Sequence, residues 1–431
     1  MFELQTHYDF KEILCKKKRL KMGPSVVKDK KETIQVPEDG TARQTWFLEP
    51  AVDKTGVLTV DGVENIARHK YVPGVYTVLD NALNPGWTWL TENVLPLWLA
   101  PNAVTTMGGL HCGFAYCILW WYSPNFDQWV PDWTLLLSGY CIIAYYTLDC
   151  MDGKQARRTG SSSPLGQLFD HGMDCICLMA FIANINGLVM LGSRWCMSLQ
   201  CGLQYAFFMA QWEEYHTHVL PHSVGGLFGV TEVNYGLGVF TIINAFLDRQ
   251  KFWGTPMNQV ISFFPDGLLA SHFSMICTYT MYFLLVIGCI CRVVPHPRVQ
   301  GHRWTALGQL STPITLFLIP AILPESVLVN ETRYISIATG LTFSLLTNKI
   351  IVFSMAKMTF ATIQIEAIPL IIVVSLLSFN TALLHYSRLI LVCTCIWYFY
   401  RLHKWSYLAI HQICRRLDIY CFSIKHPKKT S

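Results

Sequence analysis

Residues 149–174 read DCMDGKQARRTGSSSPLGQLFDHGMD, a stretch that places four aspartates beside long apolar runs. Its spacing is D-x2-D-G-x2-A-R-x8-G-x3-D-x3-D, and the acids are Asp149, Asp152, Asp170 and Asp174. Carboxylates at membrane depth are costly unless something compensates their charge, so ionisable residues in a membrane segment indicate a functional site. Four acids in one such segment predict that they bind cations.

The composition is that of a membrane protein. Of the 431 residues, 52% are hydrophobic and only 14% are charged, whereas soluble domains carry roughly 25% charged residues. Several apolar runs follow Leu95, each of about 20 residues and therefore long enough to cross a bilayer core of roughly 30 Å. The formal net charge of +5 is modest and does not indicate a nucleic-acid partner. The sequence predicts an all-α integral membrane protein with about ten transmembrane helices.

Ten spans fit the chain from residue 101 onward. They lie near 101–122, 132–150, 166–192, 194–214, 229–247, 268–291, 306–323, 333–354, 360–378 and 381–400. With this count, the main clusters of lysine and arginine and the basic C-terminus share one side, which the positive-inside rule makes cytosolic. Arg249 and Lys251, after the fifth span, fall on the lumenal side and conflict with the rule.

Changes of composition divide the chain into five predicted parts. These are a polar cytosolic extension at 1–57, interfacial helices at 58–94, a catalytic transmembrane core of six spans at 95–292, four additional spans at 293–405 and a basic cytosolic tail at 406–431. The aromatic and aliphatic residues of the second part, broken by Pro73 and Pro85, suit short helices that lie along a membrane surface. The final KKTS resembles a dilysine retrieval signal of the endoplasmic reticulum.

The four acids form two pairs on the predicted helices. Asp149 and Asp152 are three residues apart and Asp170 and Asp174 are four apart, so each pair lies on one helical face. The GSSSP stretch at 160–164 is a turn signal that returns the chain antiparallel. The two pairs then line a cage of oxygens, which favours Mg²⁺, Mn²⁺ or Ca²⁺ over zinc. Two metal ions can share such a cage in phosphoryl chemistry.

The residues between the acid pairs suit a phosphate ligand. Gly153 and Gly166 lack side chains, which allows close approach of a helix or ligand, and Arg157 offers a planar fork for phosphate oxygens. The alternative is that the acids only form ion pairs with Arg157 and its neighbours Lys154 and Arg158 at a helix end. Two regular acid pairs with small residues between them exceed what ion pairing requires.

This spacing resembles the motif of the CDP-alcohol phosphotransferase family at every fixed position. The stretch DGKQARRTGSSSPLGQLFDHG at 152–172 is similar to the eukaryotic choline/ethanolamine phosphotransferase branch, and WLAPN at 98–102 resembles the start of the first span in that branch. A weaker resemblance runs from about Leu58 to the DIYCF stretch at 418–422. Residues before Leu58 are not explained by it.

The resemblance implies a ligand for each part of the segment. Two divalent ions, Mg²⁺ or Mn²⁺, would be held by Asp149, Asp152, Asp170 and Asp174, with Asp149 and Asp170 bridging both. The CDP moiety would be bound by Asn102, Gly153 and Arg157. The predicted topology places Asn102 at the cytosolic end of the first span, level with the acids.

The general base would be His171 or Asp174. An imidazole keeps its basicity near neutral pH, whereas a carboxylate that already neutralises a metal ion is a poor proton acceptor. We therefore favour His171 as the catalytic base. In the alternative, His171 is a hydrogen-bond partner that orients Asp170 or Asp174.

The implied reaction is the last step in the synthesis of phosphatidylethanolamine or phosphatidylcholine. The hydroxyl of diacylglycerol, arriving from the membrane lipid, would attack the β-phosphorus of CDP-ethanolamine or CDP-choline, and CMP would leave to the cytosol. The resemblance also implies a homodimer and a location in the endoplasmic reticulum or Golgi membrane. Alternatives are a phosphatidylinositol or phosphatidylserine synthase and, in another class, an ion-coupled transporter. Transporters of that class usually show repeats in both halves, and the second half has no counterpart of the acid motif.

Two polar features bear on the head group. Position 167 is glutamine, where the branch usually has glutamate, so the preference for choline or ethanolamine stays open. A second cluster near the end of the fourth span contains Glu213, Glu214, His216, His218 and His222. Such residues can bind a metal, but a polar loop at the mouth of the site, with Glu213 or Glu214 near the amine, is the preferred interpretation.

Overall fold

The computed structural model describes residues 56–69, 75–221, 223–224 and 228–425, and these fold almost entirely into helices. Most of the predicted extension at 1–57 and the KKTS signal at the C-terminus lie outside the described residues. The helices are α1 Val60–Arg68, α2 Val78–Asn93, α3 Pro101–Tyr122, α4 Asp132–Arg158, α5 Pro164–Val189, α6 Ser193–Thr217, α7 Val230–Asn244, α8 Arg249–Gly254, α9 Ala270–Val293, α10 Arg303–Gly308, α11 Ser311–Phe317, α12 Ile319–Ile322, α13 Glu325–Ala356, α14 Ile368–Phe379 and α15 Ser387–Leu417. A two-residue hairpin pairs Ser223–Val224 with Phe228–Gly229.

The prediction of an all-α membrane protein is confirmed. Among the described residues, six helical segments are long and apolar enough to cross a membrane, namely α3, α4, α5, α9, α13 and the segment 381–417 that contains α15. The other four predicted spans correspond to α6, to the short helices α7 and α14, and to the series α10–α12. Helix α14 begins only at Ile368, so the first part of the span predicted at 360–378 is not α-helical.

The span predicted at 306–323 is broken into three pieces. Helices α10, α11 and α12 follow one another between Arg303 and Ile322. Pro313 and Pro320 lie in this stretch, and a proline removes one backbone donor and clashes with the preceding helical turn. By contrast, α4 continues to Arg158, beyond the predicted end at 150, so Asp149 and Asp152 both lie inside a helix.

Burial of Arg249 accounts for one of the two charges that conflict with the positive-inside rule, whereas Lys251 is exposed and stays in conflict with it. The Arg249 side chain is only 8% exposed and donates to the carbonyl oxygens of Gly187 (2.8 Å) and Val130 (2.6 Å). Arg333 on α13 likewise donates to the carbonyl oxygen of Ser123 (2.9 Å) at the C-terminal end of α3. Carbonyls at helix C-terminal ends attract cations. Arg249 is therefore a structural cation that holds neighbouring segments together.

Helix α13 connects the additional helices to the acid-bearing helices. It spans 32 residues, and 94% of its apolar 18-residue stretch is buried. It packs against α5, α6 and α15. A Cβ atom on Gly172 of α5 would lie 2.5 Å from the Asn348 Oδ1 atom of α13. A side chain at position 172 would therefore displace the Asn348 amide, and glycine leaves room for it. The second half of the chain thus supports α5 beside His171.

Candidate active site

Three of the four predicted metal-binding acids meet between α4 and α5. Asp149, Asp170 and Asp174 each contribute one carboxylate oxygen, and these oxygens all lie within 4.8 Å of one another. The predicted turn is observed, since α4 ends at Arg158 and α5 begins at Pro164. Gly160 in this turn has a φ of +65°, a conformation that glycine adopts without strain.

The arrangement of these oxygens fits a divalent cation. Asp149 Oδ1 and Asp170 Oδ1 are buried and have no hydrogen-bond partner among the described residues. A buried carboxylate oxygen without a donor is costly, and three carboxylates in one small volume repel each other. Hard oxygen ligands are those that Mg²⁺ and Mn²⁺ prefer. A cation between the acids would satisfy the oxygens and remove the repulsion.

Hydroxyl groups hold the other two acids. Asp152 lies outside the group of three and accepts a hydrogen bond from the Thr105 hydroxyl of α3. Asp174 accepts a hydrogen bond from the Tyr145 hydroxyl of α4. Neither Thr105 nor Tyr145 was singled out from the sequence. No local pattern marks them, because each bond depends on how two helices pack.

Ion pairing does not explain the acid cluster. Arg158 donates to the backbone oxygens of Thr91 (2.7 Å) and Leu95 (2.8 Å), and Lys154 donates to the Asn84 side chain. Within the described residues, the only salt-bridge contact of the four acids is His171 Nε2 to Asp170 Oδ2, at 3.9 Å. This separation is too long for a hydrogen bond. Lys154 and Arg158 therefore bond elsewhere and do not form ion pairs with the four acids.

Two of the predicted nucleotide ligands lie side by side on α4. A Cβ atom on Gly153 would lie 3.5 Å from an Nη atom of Arg157, and apart from the backbone of its own helix no other atom of the described residues would lie within 4 Å. The absence of a side chain at Gly153 therefore leaves open space beside the Arg157 guanidinium. Such space suits a phosphate that approaches the helix backbone closely.

Asn102 contacts the C-terminal segment of the chain. Its side-chain amide donates to the Cys421 carbonyl oxygen at 2.9 Å, and Asn102 is only 7% exposed. The adjacent Phe422 packs edge-on against Phe169 of α5, with ring centroids 5.4 Å apart. The predicted topology placed Asn102 level with the acids, but the sequence did not predict its contact with Cys421. In the sequence, the only indication that this segment belongs with the site was the family resemblance, which extends to the DIYCF stretch at 418–422.

Gln167 belongs to a polar network at the start of α5. Its Oε1 atom lies 2.9 Å from His69 Nε2, and its Nε2 atom donates to Glu214 Oε1 at 3.0 Å. Glu214 is 6% exposed. The neighbouring Glu213 forms a separate ion pair with Arg292, at 2.5 Å. The two glutamates of the second polar cluster thus have different partners, and Glu214 faces the acid-bearing helix.

The second polar cluster does not form a metal site within the described part of the chain. There, three ligand atoms come close enough to hold an ion only at Asp149, Asp170 and Asp174. His216 instead contacts the Gln309 side chain, with Nε2 2.9 Å from Oε1. The preferred interpretation of this cluster as a polar loop is wrong for Glu213, Glu214 and His216, which lie inside α6 because that helix continues to Thr217. His222 lies outside the described residues.

Comparison with known proteins identifies the region that contains this site. Residues 98–264 match the family model described as CDP-alcohol phosphatidyltransferase. The chain carries a CDP-alcohol phosphatidyltransferase domain. This domain contains every predicted metal, nucleotide and base residue, and the resemblance inferred from the acid motif is confirmed.

Curated relatives match beyond the CDP-alcohol phosphatidyltransferase domain. The chain is 29% identical to choline/ethanolaminephosphotransferase 2 of Arabidopsis thaliana over 86% of this chain and 98% of the relative. It is 26% identical to human ethanolaminephosphotransferase 1 over 80% of this chain and 88% of the relative. It is 34% identical to cholinephosphotransferase 1 of Xenopus laevis over 47% of this chain and 52% of the relative. The relatives thus carry names for both head groups.

Proposed function

We propose that the protein transfers phosphoethanolamine, phosphocholine or both from a CDP-alcohol to diacylglycerol, which yields the phospholipid and CMP. The observation that carries this proposal is the half-buried group of Asp149, Asp170 and Asp174, which lies within a CDP-alcohol phosphatidyltransferase domain and has two buried oxygens without a hydrogen-bond partner among the described residues. We further propose that the protein acts as a homodimer in the endoplasmic reticulum membrane, with its active site facing the cytosol.

The acids would hold two divalent ions, Mg²⁺ or Mn²⁺, which neutralise charge on the pyrophosphate and on the leaving CMP. Asp149, Asp170 and Asp174 supply the central ligands in this proposal, and Asp152 completes the set. Arg157 binds phosphate oxygens beside the open backbone at Gly153. Asn102 binds the nucleotide from α3.

The proposed transfer is a single displacement at phosphorus. The diacylglycerol hydroxyl oxygen forms a bond to the β-phosphorus, and the bond from that phosphorus to the oxygen of CMP breaks. The electron pair of the broken bond stays with CMP, and the hydroxyl proton passes to His171. Asp174 is less suited to accept this proton because its carboxylate belongs to the metal cluster and already accepts the Tyr145 hydroxyl.

Metal removal tests the proposed reaction directly. Purified full-length protein with labelled CDP-ethanolamine and diacylglycerol is expected to lose both CMP release and labelled lipid when EDTA is added. Added Mg²⁺ or Mn²⁺ should restore both products, since the phosphoryl charge is otherwise uncompensated. EDTA that is already saturated with Mg²⁺ serves as the control and should leave activity intact. Release of CMP that ignores EDTA would contradict the mechanism.

The head-group proposal concerns Gln167 and Glu214. Gln167 lies three residues before Asp170 on α5, so it is on the same side of the helix and about 4.5 Å along its axis. Its partner Glu214 is a buried carboxylate, and a carboxylate attracts a cationic amine. We propose that this pair faces the amine of the phosphoalcohol.

Gln167→Glu is expected to favour CDP-ethanolamine over CDP-choline. A primary ammonium can donate charge-assisted hydrogen bonds to the added carboxylate and a trimethylammonium cannot, so the ratio of the two kcat/KM values should rise about three- to tenfold. Competition between the two CDP-alcohols on purified protein measures this ratio. Gln300→Glu, at an exposed position outside the site, is the matched control for added charge. An unchanged ratio in Gln167→Glu would place the amine elsewhere.

A further inference from the structure

We propose that Thr105 and Tyr145 are positioning residues for the metal site and that each orients one aspartate. The Thr105 hydroxyl donates to Asp152, and the Tyr145 hydroxyl donates to Asp174. Both residues are buried, with 3% and 4% of their surface exposed. This inference rests on the proposed metal-binding role of the acids.

The hydrogen bonds divide the four acids into two kinds. Asp152 and Asp174 each have a hydroxyl donor, whereas Asp149 Oδ1 and Asp170 Oδ1 have no partner within the described residues. A donor bound to one carboxylate oxygen fixes the rotation of the group and leaves the second oxygen for a cation. Asp152 and Asp174 would then hold a cation through carboxylates that their hydroxyl donors orient before it binds.

Tyr145 is held firmly enough to act in this way. It lies one turn before Asp149 on α4, and its ring packs edge-on against Phe181, with centroids 5.6 Å apart. A Cβ atom on Gly108 of α3 would lie 3.2 Å from the Tyr145 carbonyl oxygen and 3.4 Å from its ring. The absence of a side chain at Gly108 therefore lets α3 close over this tyrosine. A hydroxyl held by packing on two sides can orient its acceptor.

Thr105 reaches the site from a different helix. Helix α3 packs against both α4 and α5, and Thr105 lies one turn after Asn102. The same helix therefore carries a proposed nucleotide ligand and the hydroxyl that orients Asp152. Hydrogen-bond partners of metal ligands set ligand orientation, and their loss typically weakens metal binding by about 10- to 100-fold.

The test measures metal binding without substrate. Purified full-length protein is titrated with Mn²⁺, and the rise in melting temperature reports occupancy of the site. Tyr145→Phe and Thr105→Val are each expected to need about tenfold more Mn²⁺ for half of the maximal rise, and Thr105→Ser should stay within about twofold of the wild type. The serine variant keeps the hydroxyl but loses the methyl group. Mn²⁺ binding close to that of the wild type would therefore show that the hydrogen bond matters and not the packing.

Tyr146→Phe is the matched control, because the Tyr146 hydroxyl bonds to Thr231 and not to an acid. It should titrate like the wild type. Wild-type titration curves for both Tyr145→Phe and Thr105→Val would overturn the inference and leave the proposed function standing. A wild-type protein whose melting temperature does not respond to Mn²⁺ would overturn the metal site itself, and the inference with it.

Discussion

Asp170→Asn is expected to lower CMP release at least about a thousandfold while making the metal-free protein more stable. The rate falls because the variant loses a central ligand, and a loss of about 4 kcal/mol of transition-state stabilisation is about a thousandfold in rate. The stability rises because one of three carboxylates whose oxygens lie within 4.8 Å becomes neutral. Two charges at that distance repel by about 3 kcal/mol at an effective dielectric constant of roughly 20.

The two effects are measured on one preparation. After EDTA treatment, the melting temperature of Asp170→Asn should lie a few degrees above that of the wild type, since about 1 kcal/mol shifts a large domain by roughly 2–4 °C. Adding Mn²⁺ should reverse the order, because only the wild type gains a fully liganded ion. Asp127→Asn, at an exposed position between α3 and α4, is the control. A metal-free variant less stable than the wild type would show that Asp170 has a structural partner.

The arrangement of the central acids could be predicted because it follows from helix periodicity. Residues three or four apart share a helical face, and a short turn between α4 and α5 keeps Asp149, Asp170 and Asp174 at one level. The position of Asp152 was predicted less well. Its carboxylate is held by Thr105, and a hydrogen bond from a third helix leaves no trace in the local spacing.

Contacts between distant parts of the chain could not be predicted for the same reason. Asn102 and Cys421 are 319 residues apart and still form a hydrogen bond. Gly172 and Asn348 meet because α13 crosses α5 closely. Hydropathy locates such helices but says nothing of which faces meet. The second half was therefore predicted as an addition to the core, whereas α13 packs directly against it.

The breaks in the helices show a second limit of hydropathy. An apolar window averages over its residues, so the stretch 306–323 was predicted as one continuous span although it forms three short helices. Its prolines were the available signal. Arg249 shows the converse problem. Its charge suggested a loop on the wrong side of the membrane, but the side chain is buried among carbonyl oxygens, and counting charges cannot separate a buried cation from an exposed one.

His171→Ala is expected to lower kcat by about 10²- to 10⁴-fold, the usual contribution of a general base. The imidazole is placed for this role, since His171 follows Asp170 directly on α5 and its Nε2 atom lies 3.9 Å from Asp170 Oδ2. It is thus beside the metal cluster without belonging to the group of three ligands. Binding of CDP-ethanolamine, measured by calorimetry with metal present, should stay within a few-fold of the wild type.

Two further variants separate the base from an orienting residue. His171→Gln and His171→Asn each place an amide near one of the ring nitrogens, so they retain hydrogen bonding but cannot accept the proton. If His171 is the base, the His171→Gln and His171→Asn variants should be as inactive as His171→Ala, and all of them should bind Mn²⁺ like the wild type. If His171 only orients Asp170, either His171→Gln or His171→Asn should retain activity, and His171→Ala should bind Mn²⁺ more weakly than the wild type. Since a base acts on the substrate proton and an orienting residue acts on the metal, activity and Mn²⁺ titration together decide between the two roles.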